Sequence, residues 1–287
     1  MSTINLTNKE FENLITKGKV VGEGTDGVCY AVGKKVYKIY HKSYKSLLTS
    51  NPVYDEEKVR IAVSKEFKGH IVSDVKIIQY TDSEGIRLSL SSGLEKIVER
   101  GKQIHGSILP QGAIYVNGRV KGCIYPYYTH VKSIYSAFRK LYKKRLEICR
   151  KLIVKVEELL EHNIYPIDLC QKGKDKLFDK RYCNVFLDSK NEPIIIDLDG
   201  KSALYTETDN KSYEKRSCAS LSFLIFELIT REDIQEDYEA EDYDSIRAYL
   251  CEIGLPERLR EKFLDQDMSI EDIKESFEII KSRKNKI

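Results

Sequence analysis

The chain has 287 residues, with 48 Lys and Arg against 45 Asp and Glu and a formal net charge of +3. So small a balance gives no reason to expect a nucleic-acid partner. No apolar stretch approaches the length of a membrane span; the longest, Ala219 to Thr230, is interrupted by Glu227. Hydrophobic residues at 41% and charged residues at 32% are those of an ordinary globular protein. The first residues carry no basic segment followed by an apolar core, so no secretion signal is expected. Seven cysteines without paired C-x-x-C spacing suggest reduced thiols in a cytoplasmic protein. The scattered histidines form no ligand pair with a cysteine, so zinc binding is not expected.

In chain order, Thr7 and Glu10 form a capping box that opens a short helix. Gly22, Gly24 and Gly27 then stand in G-x-G-x-x-G spacing. A dinucleotide site would need a helix after the last glycine. Here Val28 to Val32 is β-branched and aromatic, Gly33 to Lys35 is a turn, and Val36 to Tyr40 is a second strand carrying Lys38. Strand, glycine loop, strand, turn and lysine strand resembles the order found in protein kinases, where the glycine backbone drapes over ATP. Residues 41–90 do not read simply: Glu56 to Phe67 could be a helix and Ile71 to Tyr80 a strand. Ser92 to Ile104 reads as a helix, and Asn117-Gly118 between two alternating runs signals a hairpin. Ser133 to His162 carries continuous helical periodicity, with Tyr142, Leu146, Cys149, Ile153, Val156 and Leu160 near one stripe. Ser217 to Thr230 is an apolar helix, and two or three amphipathic helices finish the chain. The basic runs Lys140 to Arg145 and Lys281 to Lys286 read as solvated helix faces or tail.

The second half offers oxygen ligands and a carboxylate at two places. One is Ile164 to Leu169, where a long helix gives way to a short run ending at Asp168. The other is Asn184-Val185-Phe186-Leu187-Asp188, a turn, and Pro193 to Asp199. A hairpin there brings Asn184 toward Asp197, a pairing suited to Mg²⁺. Taken singly, Asp168 and Asn184 are ordinary turn residues and Lys38 an ordinary strand lysine.

Jointly, this order of glycine loop, lysine strand, hairpin, long helix, Asp, Asn and Ile-Asp-Leu-Asp resembles the protein kinase-like superfamily over most of the chain, in an atypical, microbial-looking form. The resemblance implies an α+β, two-lobed fold: a single domain over 1–287, with a small sheet lobe at 18–126 (possible insertion at 41–90) and a helical lobe at 127–287. It further implies that Gly22, Gly24 and Gly27 cover the ATP phosphates and that Lys38 contacts them. Asn184 and Asp197 would hold Mg²⁺, and Asp168 would take the substrate proton. Pro126 to Tyr128 would be the hinge whose backbone meets adenine, with Tyr127 within it and Tyr125 just before it, both counted as nucleotide-binding. The family spaces its catalytic Asp and metal Asn five apart, whereas Asp168 and Asn184 are sixteen apart. Either a basic insertion, Gln171 to Arg181, separates them, or Asp179 is the catalytic residue; Asp168 is preferred. The glutamate pairing with Lys38 is read as Glu95, with Glu99 and Glu57 as alternatives.

Only Lys201 to Arg216 separate Gly200 from the apolar helix, with no Ala-Pro-Glu, and Ser217 stands where the family begins that helix with Asp. Asp199 in place of glycine is more like small-molecule kinases. Tyr205, Thr206, Thr208, Ser212 and Tyr213 read as solvent-facing. The expected activity is Mg²⁺- and ATP-dependent phosphoryl transfer to a hydroxyl, with protein Ser or Thr as the leading acceptor. The alternatives are a small-molecule kinase of the aminoglycoside or choline kinase type, and a nucleotide-binding pseudokinase acting as an interaction module.

Overall fold

A computed structural model describes residues 3–23, 27–40, 94, 97–104, 109–172, 181–199 and 210–284. The chain divides into two units, one of residues 1–129 with 197–208 and one of residues 130–196 with 209–287. A sheet-bearing first unit and a mainly helical second one, in the expected element order, make the fold α+β. No helix among the described residues is long and apolar enough to cross a membrane.

The first unit is built on a six-stranded sheet, ordered β1 (Ile4–Leu6), β5 (Gly112–Val116), β6 (Arg119–Pro126), β4 (Lys35–Tyr40), β3 (Gly27–Val32), β2 (Lys19–Glu23). All neighbours are antiparallel except β1, which runs parallel to β5. The hairpin between β5 and β6 turns where it was expected: Asn117 and Gly118 both have positive φ, 50° and 74°, as a two-residue turn matched to strand twist demands. Helix α1 (Asn8–Lys17) starts at the predicted capping box, with Thr7 Oγ1 accepting from the Glu10 N–H and Glu10 accepting from the Thr7 N–H. Ile39, Ile114 and Ile124 form the buried core of this unit, and Phe11 and Leu14 of α1 pack against it with Ile4 and Leu6 of β1. Strand β1 was not anticipated. Leu94 and Val98 to Arg100 are helical, as expected, and Gly101–Gln103 tightens into a 3₁₀ turn.

The second unit corrects the reading of one long helix from Ser133. Lys132–Ser133 is a strand, β7; Ile134–Arg139 is a 3₁₀ segment; only Tyr142–Glu161 is α-helix, α2. Lys140 and Leu141 are extended between them. Pairing decides the break, because Ser133 and Lys132 join β10 (Val185–Leu187) opposite Phe186 and Leu187. The buried face of α2 is Arg145, Ile148, Cys149, Leu152, Ile153, Val156 and Leu159, rotated from the expected stripe so that Leu146 and Leu160 lie beside it. Arg145 is therefore no solvated lysine-run neighbour: it is buried, donates to the Ile229 carbonyl at 3.2 Å and lies over the Tyr142 ring.

Helix α3 (Asn210–Thr230) starts earlier than expected and is buried along most of its second half. It packs with α2 and with the last helix. Glu227, the charge interrupting it, is buried and accepts from the Tyr135 hydroxyl and the Gln235 N–H, which satisfies a group that would otherwise be prohibitive there. Four helices, not two or three, finish the described chain: α4 (Ile234–Glu239), α5 (Tyr243–Glu252), α6 (Glu257–Leu264) and α7 (Ile270–Lys284). Tyr213, expected in solvent, is buried against the Tyr165 ring, 6.2 Å between centroids. Tyr205, Thr206 and Thr208, and the expected elements of 41–90, lie outside the described residues.

Candidate functional site

In the first unit the site grows from strand pairing. Lys38 sits mid-β4, opposite Cys29 of β3 and Cys123 of β6. Alternation along a strand puts Tyr40 on the same face as Lys38, and Tyr125 on the same face as Cys123. Strand β6 approaches so closely here because residue 122 is glycine: a Cβ would lie 1.9 Å from the Lys38 carbonyl oxygen. Gly27 is under a similar constraint, with a Cβ 2.2 Å from the Ile39 carbonyl oxygen, whereas Gly22 has open space around it. Gly24 lies outside the described residues.

Lys38 is not an exposed strand lysine. Its side chain is 8% exposed, and its ammonium donates to Asp197 Oδ1 and to Asp199 Oδ1, the latter at 3.0 Å. Two carboxylates two residues apart thus share one cation, yet their surroundings differ. The Asp197 side chain is 40% exposed and the residue has φ 64°, a left-handed conformation uncommon outside glycine and concentrated at functional positions. Asp199 is wholly buried and accepts from Lys38, the Tyr40 hydroxyl at 2.7 Å, the Tyr125 hydroxyl at 2.5 Å and the Cys123 thiol at 3.5 Å. Burial works to raise its pKa, but the Lys38 charge and the two phenol donors hold it below the ordinary carboxylate value. Desolvation, opposed by Lys38 and reinforced by the Asp199 charge, pushes Asp197 up. Burial and the Asp199 charge push the Tyr125 phenol and the Cys123 thiol well up, so both remain protonated donors.

Tyr125, expected beside the nucleotide, thus donates its hydroxyl to Asp199. The Tyr127 N–H, expected to meet adenine, donates to the Lys34 carbonyl at 3.0 Å. Of the glutamates considered for Lys38, Glu99 is exposed and pairs with Lys102 instead; Glu95 and Glu57 lie outside the described residues. Asp199, Tyr40, Cys123 and Gly122 were not legible as one cluster from the sequence; the register of β4 against β6 brings together the last three.

In the second unit Asp168 is placed from both sides. Helix α2 ends in a Schellman motif: Asn163 has φ 53°, its N–H donates to Leu160, and the Ile164 N–H donates to Leu159. Ile164 to Ile167 are then buried, Asp168 is half-buried, and Leu169 is buried again. The Leu169 N–H donates to Ser220 Oγ of α3 at 3.0 Å. Ser220 thus anchors this turn to the helix, while the buried hydroxyl of Ser217 has no hydrogen-bond partner among the described residues.

The sixteen-residue gap between Asp168 and Asn184 closes as a hairpin. Strand β8 (Cys170–Lys172) pairs antiparallel with β9 (Arg181–Cys183), Cys170 opposite Cys183. At its base the Asn184 N–H donates to the Leu169 carbonyl at 3.0 Å and the Asn184 side-chain amide to the Asp168 carbonyl at 2.8 Å. Asn184 leads into β10, which pairs with β11 (Pro193–Ile195), and the Ile196 N–H donates to the Asn184 carbonyl. The next residue in the chain is Asp197. Asp179 lies outside the described residues.

Beside Asp168 is an open pocket of ≈ 220 Å³ whose polar lining is Asp168, Arg216, Ser220, Gln235 and Gln266, with Phe223 as its aromatic wall.

No protein-family model matches the chain, and no curated protein matches it. Among solved structures it is similar to an apo pseudokinase, at TM-score 0.47 and 10% identity over 98% of this chain and 94% of that one. It is also similar to drought responsive inactive kinase 1 bound to ENMD-2076, at TM-score 0.47 and 13% identity over 98% and 97% of the two chains. Both are pseudokinases. Likenesses this distant assign no residue a role, and the site rests on the geometry above.

Proposed function

We propose that the protein is an ATP- and Mg²⁺-dependent phosphotransferase that moves the γ-phosphoryl group to a hydroxyl, with protein Ser or Thr as acceptor. The observation that carries this reading is the bond from the Asn184 amide to the Asp168 carbonyl. It brings Asn184 and Asp168, sixteen residues apart in the sequence, together at the base of one hairpin. Asp168 accepts the hydroxyl proton as the oxygen attacks the γ-phosphorus and the bond to the ADP oxygen breaks. Lys38 meets the phosphates, and the glycine strands β2 and β3 cover them.

The donor chemistry fits Mg²⁺, a hard cation that takes oxygen ligands. Asn184 directs its amide nitrogen to Asp168, leaving its side-chain oxygen as the group available to a metal, and Asp197 presents a solvent-exposed carboxylate. Asn184 and Asp197 would each offer an oxygen ligand to such an ion, and charge neutralisation is the chemistry it would supply.

Among the described residues, the pocket beside Asp168 is lined by one carboxylate, the guanidinium of Arg216, the Ser220 hydroxyl and two amides, polar groups that a peptide main chain can meet by hydrogen bonds. The test is ³²P transfer from γ-labelled ATP with Mg²⁺, comparing wild type with Asp197→Ala and Asp168→Ala. Label on the protein itself or on a generic protein, lost in both variants, is the expected result. Label only on a soluble metabolite would replace the acceptor, and binding of ATP without transfer would replace the reading by that of a pseudokinase.

A further inference from the structure

The Asp-Leu-Asp sequence invites the view that both carboxylates ligate metal, but the surroundings of Asp199 leave no room for it. A carboxylate offers about four lone-pair directions. In Asp199 each oxygen already takes two donors: Lys38 and Tyr125 on Oδ1, Tyr40 and Cys123 on Oδ2. Three of the four come from hydroxyl or ammonium groups at 3.0 Å or less, and the whole side chain is sealed from water. We infer that Asp199 is a positioning residue: from a socket of Tyr40, Tyr125 and Cys123 it holds the Lys38 ammonium at the place where the triphosphate binds, leaving Asp197 as the exposed carboxylate of the pair.

The socket explains why these residues recur on one sheet face. Tyr40 and Lys38 come from β4, Cys123 and Tyr125 from β6, so the two central strands grip a single carboxylate carried by the segment that returns to this unit at Asp197. Both phenols are rigid two-torsion donors, and a lysine bonded to a fixed acceptor loses rotamer freedom before any ligand arrives. Preorganisation of this kind raises affinity for phosphate while leaving affinity for the nucleoside unchanged. It is that difference, and not overall stability, which separates a positioning carboxylate from a merely structural one.

The consequence for ligand rests on the nucleotide reading above, so the experiment has two arms. In the first, without ligand, melting temperatures are measured for wild type, Asp199→Asn, Lys38→Met and the double variant. Shifts that fall short of additivity are expected, since the two side chains act through one bond; additive shifts overturn the inference. In the second, calorimetry gives dissociation constants for MgATP and for adenosine. Asp199→Asn is expected to reduce the preference for MgATP about tenfold or more, the ordinary worth of a charge-assisted hydrogen bond, and to cause no further loss when introduced into Lys38→Met. Equal weakening of MgATP and adenosine overturns the positioning role. Wild type with no preference for MgATP refutes the nucleotide reading instead, and the unliganded arm alone then decides whether Asp199 holds Lys38. Should Asp199→Asn fail to fold, Tyr125→Phe and Tyr40→Phe keep the carboxylate and remove one donor each; a smaller loss of the same preference supports the inference, and none overturns it.

Discussion

Replacing Gly122 by alanine tests whether the close approach of β6 to β4 is what places Lys38. The added Cβ would lie 1.9 Å from the Lys38 carbonyl oxygen and 2.9 Å from its carbonyl carbon, whereas ordinary contact begins at 3.4 Å. Both near atoms are backbone, so no side chain can turn aside, and the strands must separate by about 1.5 Å locally. An N–H···O bond stretched by that much is no longer a hydrogen bond. The loss of two or three ladder bonds at about 1 kcal/mol each amounts to about 3 kcal/mol, or a fall in melting temperature of roughly 6–12 °C. Gly22→Ala is the control, since a Cβ there meets nothing within 4 Å. Thermal melts followed by circular dichroism, with hydrogen exchange at the β4 and β6 amides, read both variants. If Gly122→Ala melts within 1 °C of Gly22→Ala, the packing of the central strands is not as described and the placement of Lys38 loses its support.

Ser220→Ala removes the acceptor of the buried Leu169 N–H, so it should cost about 1–3 kcal/mol and accelerate exchange of that amide; unchanged exchange would mean that Ser220 does not anchor the Asp168 turn. Asp272 is raised by burial, but Lys262 and the Ser269 N–H and hydroxyl outweigh that and hold it below its ordinary value of 3.8. Its contribution to stability is therefore complete above that value and disappears as pH falls through the lower folded-state pKa. Asp272→Asn should be less stable than wild type at neutral pH and lose less on acidification, as acid-unfolding curves will show; parallel curves would refute this. Cys251 is exposed, while burial raises Cys218 and Cys183 to about 12 and Cys29 to about 11. Iodoacetamide at neutral pH should therefore label Cys251 before Cys29, Cys183 and Cys218, as read by peptide mass spectrometry.

What could be read in the sequence depended on how local its cause was. The capping box at Thr7, the Asn117-Gly118 turn, the strand pair around Gly33 and the hairpin from Val185 to Ile195 are each specified by a few adjacent residues, and all are present. Pairings between distant segments were not legible. Strand β1 is three residues long and gains its identity only from Ile114 and its neighbours, more than a hundred positions away. Lys140 and Leu141 interrupt a helical period because Ser133 pairs with Phe186, a tertiary override of a genuine local pattern. The site divides in the same way. Lys38 and Asp197 follow from motif order, whereas the Asp199 socket needs the register that sets Lys38 opposite Cys123. Likewise the bond from the Leu169 N–H to Ser220 joins segments fifty-one residues apart, a contact that composition does not reveal.

The hairpin between Asp168 and Asn184 shows why spacing along a chain is a poor proxy for spacing in a site. Once Cys170 faces Cys183 and Lys172 faces Arg181, the number of residues beyond Lys172 no longer affects where Asn184 lies. Lengthening a loop costs little, about 0.6 kcal/mol for each doubling. Replacing residues 173–180 by Asn-Gly, the two-residue turn that suits an antiparallel pair, should therefore leave the Asn184–Asp168 bond intact and stabilise the hairpin by about 1 kcal/mol. The same variant deletes Asp179. If Asp168 is the residue that takes the hydroxyl proton, phosphoryl transfer survives the deletion. If transfer is lost while the melting temperature holds, the family spacing from Asp179 to Asn184 was the true guide, and the bond from Asn184 to Asp168 is only a hinge for the loop that carries the catalytic carboxylate.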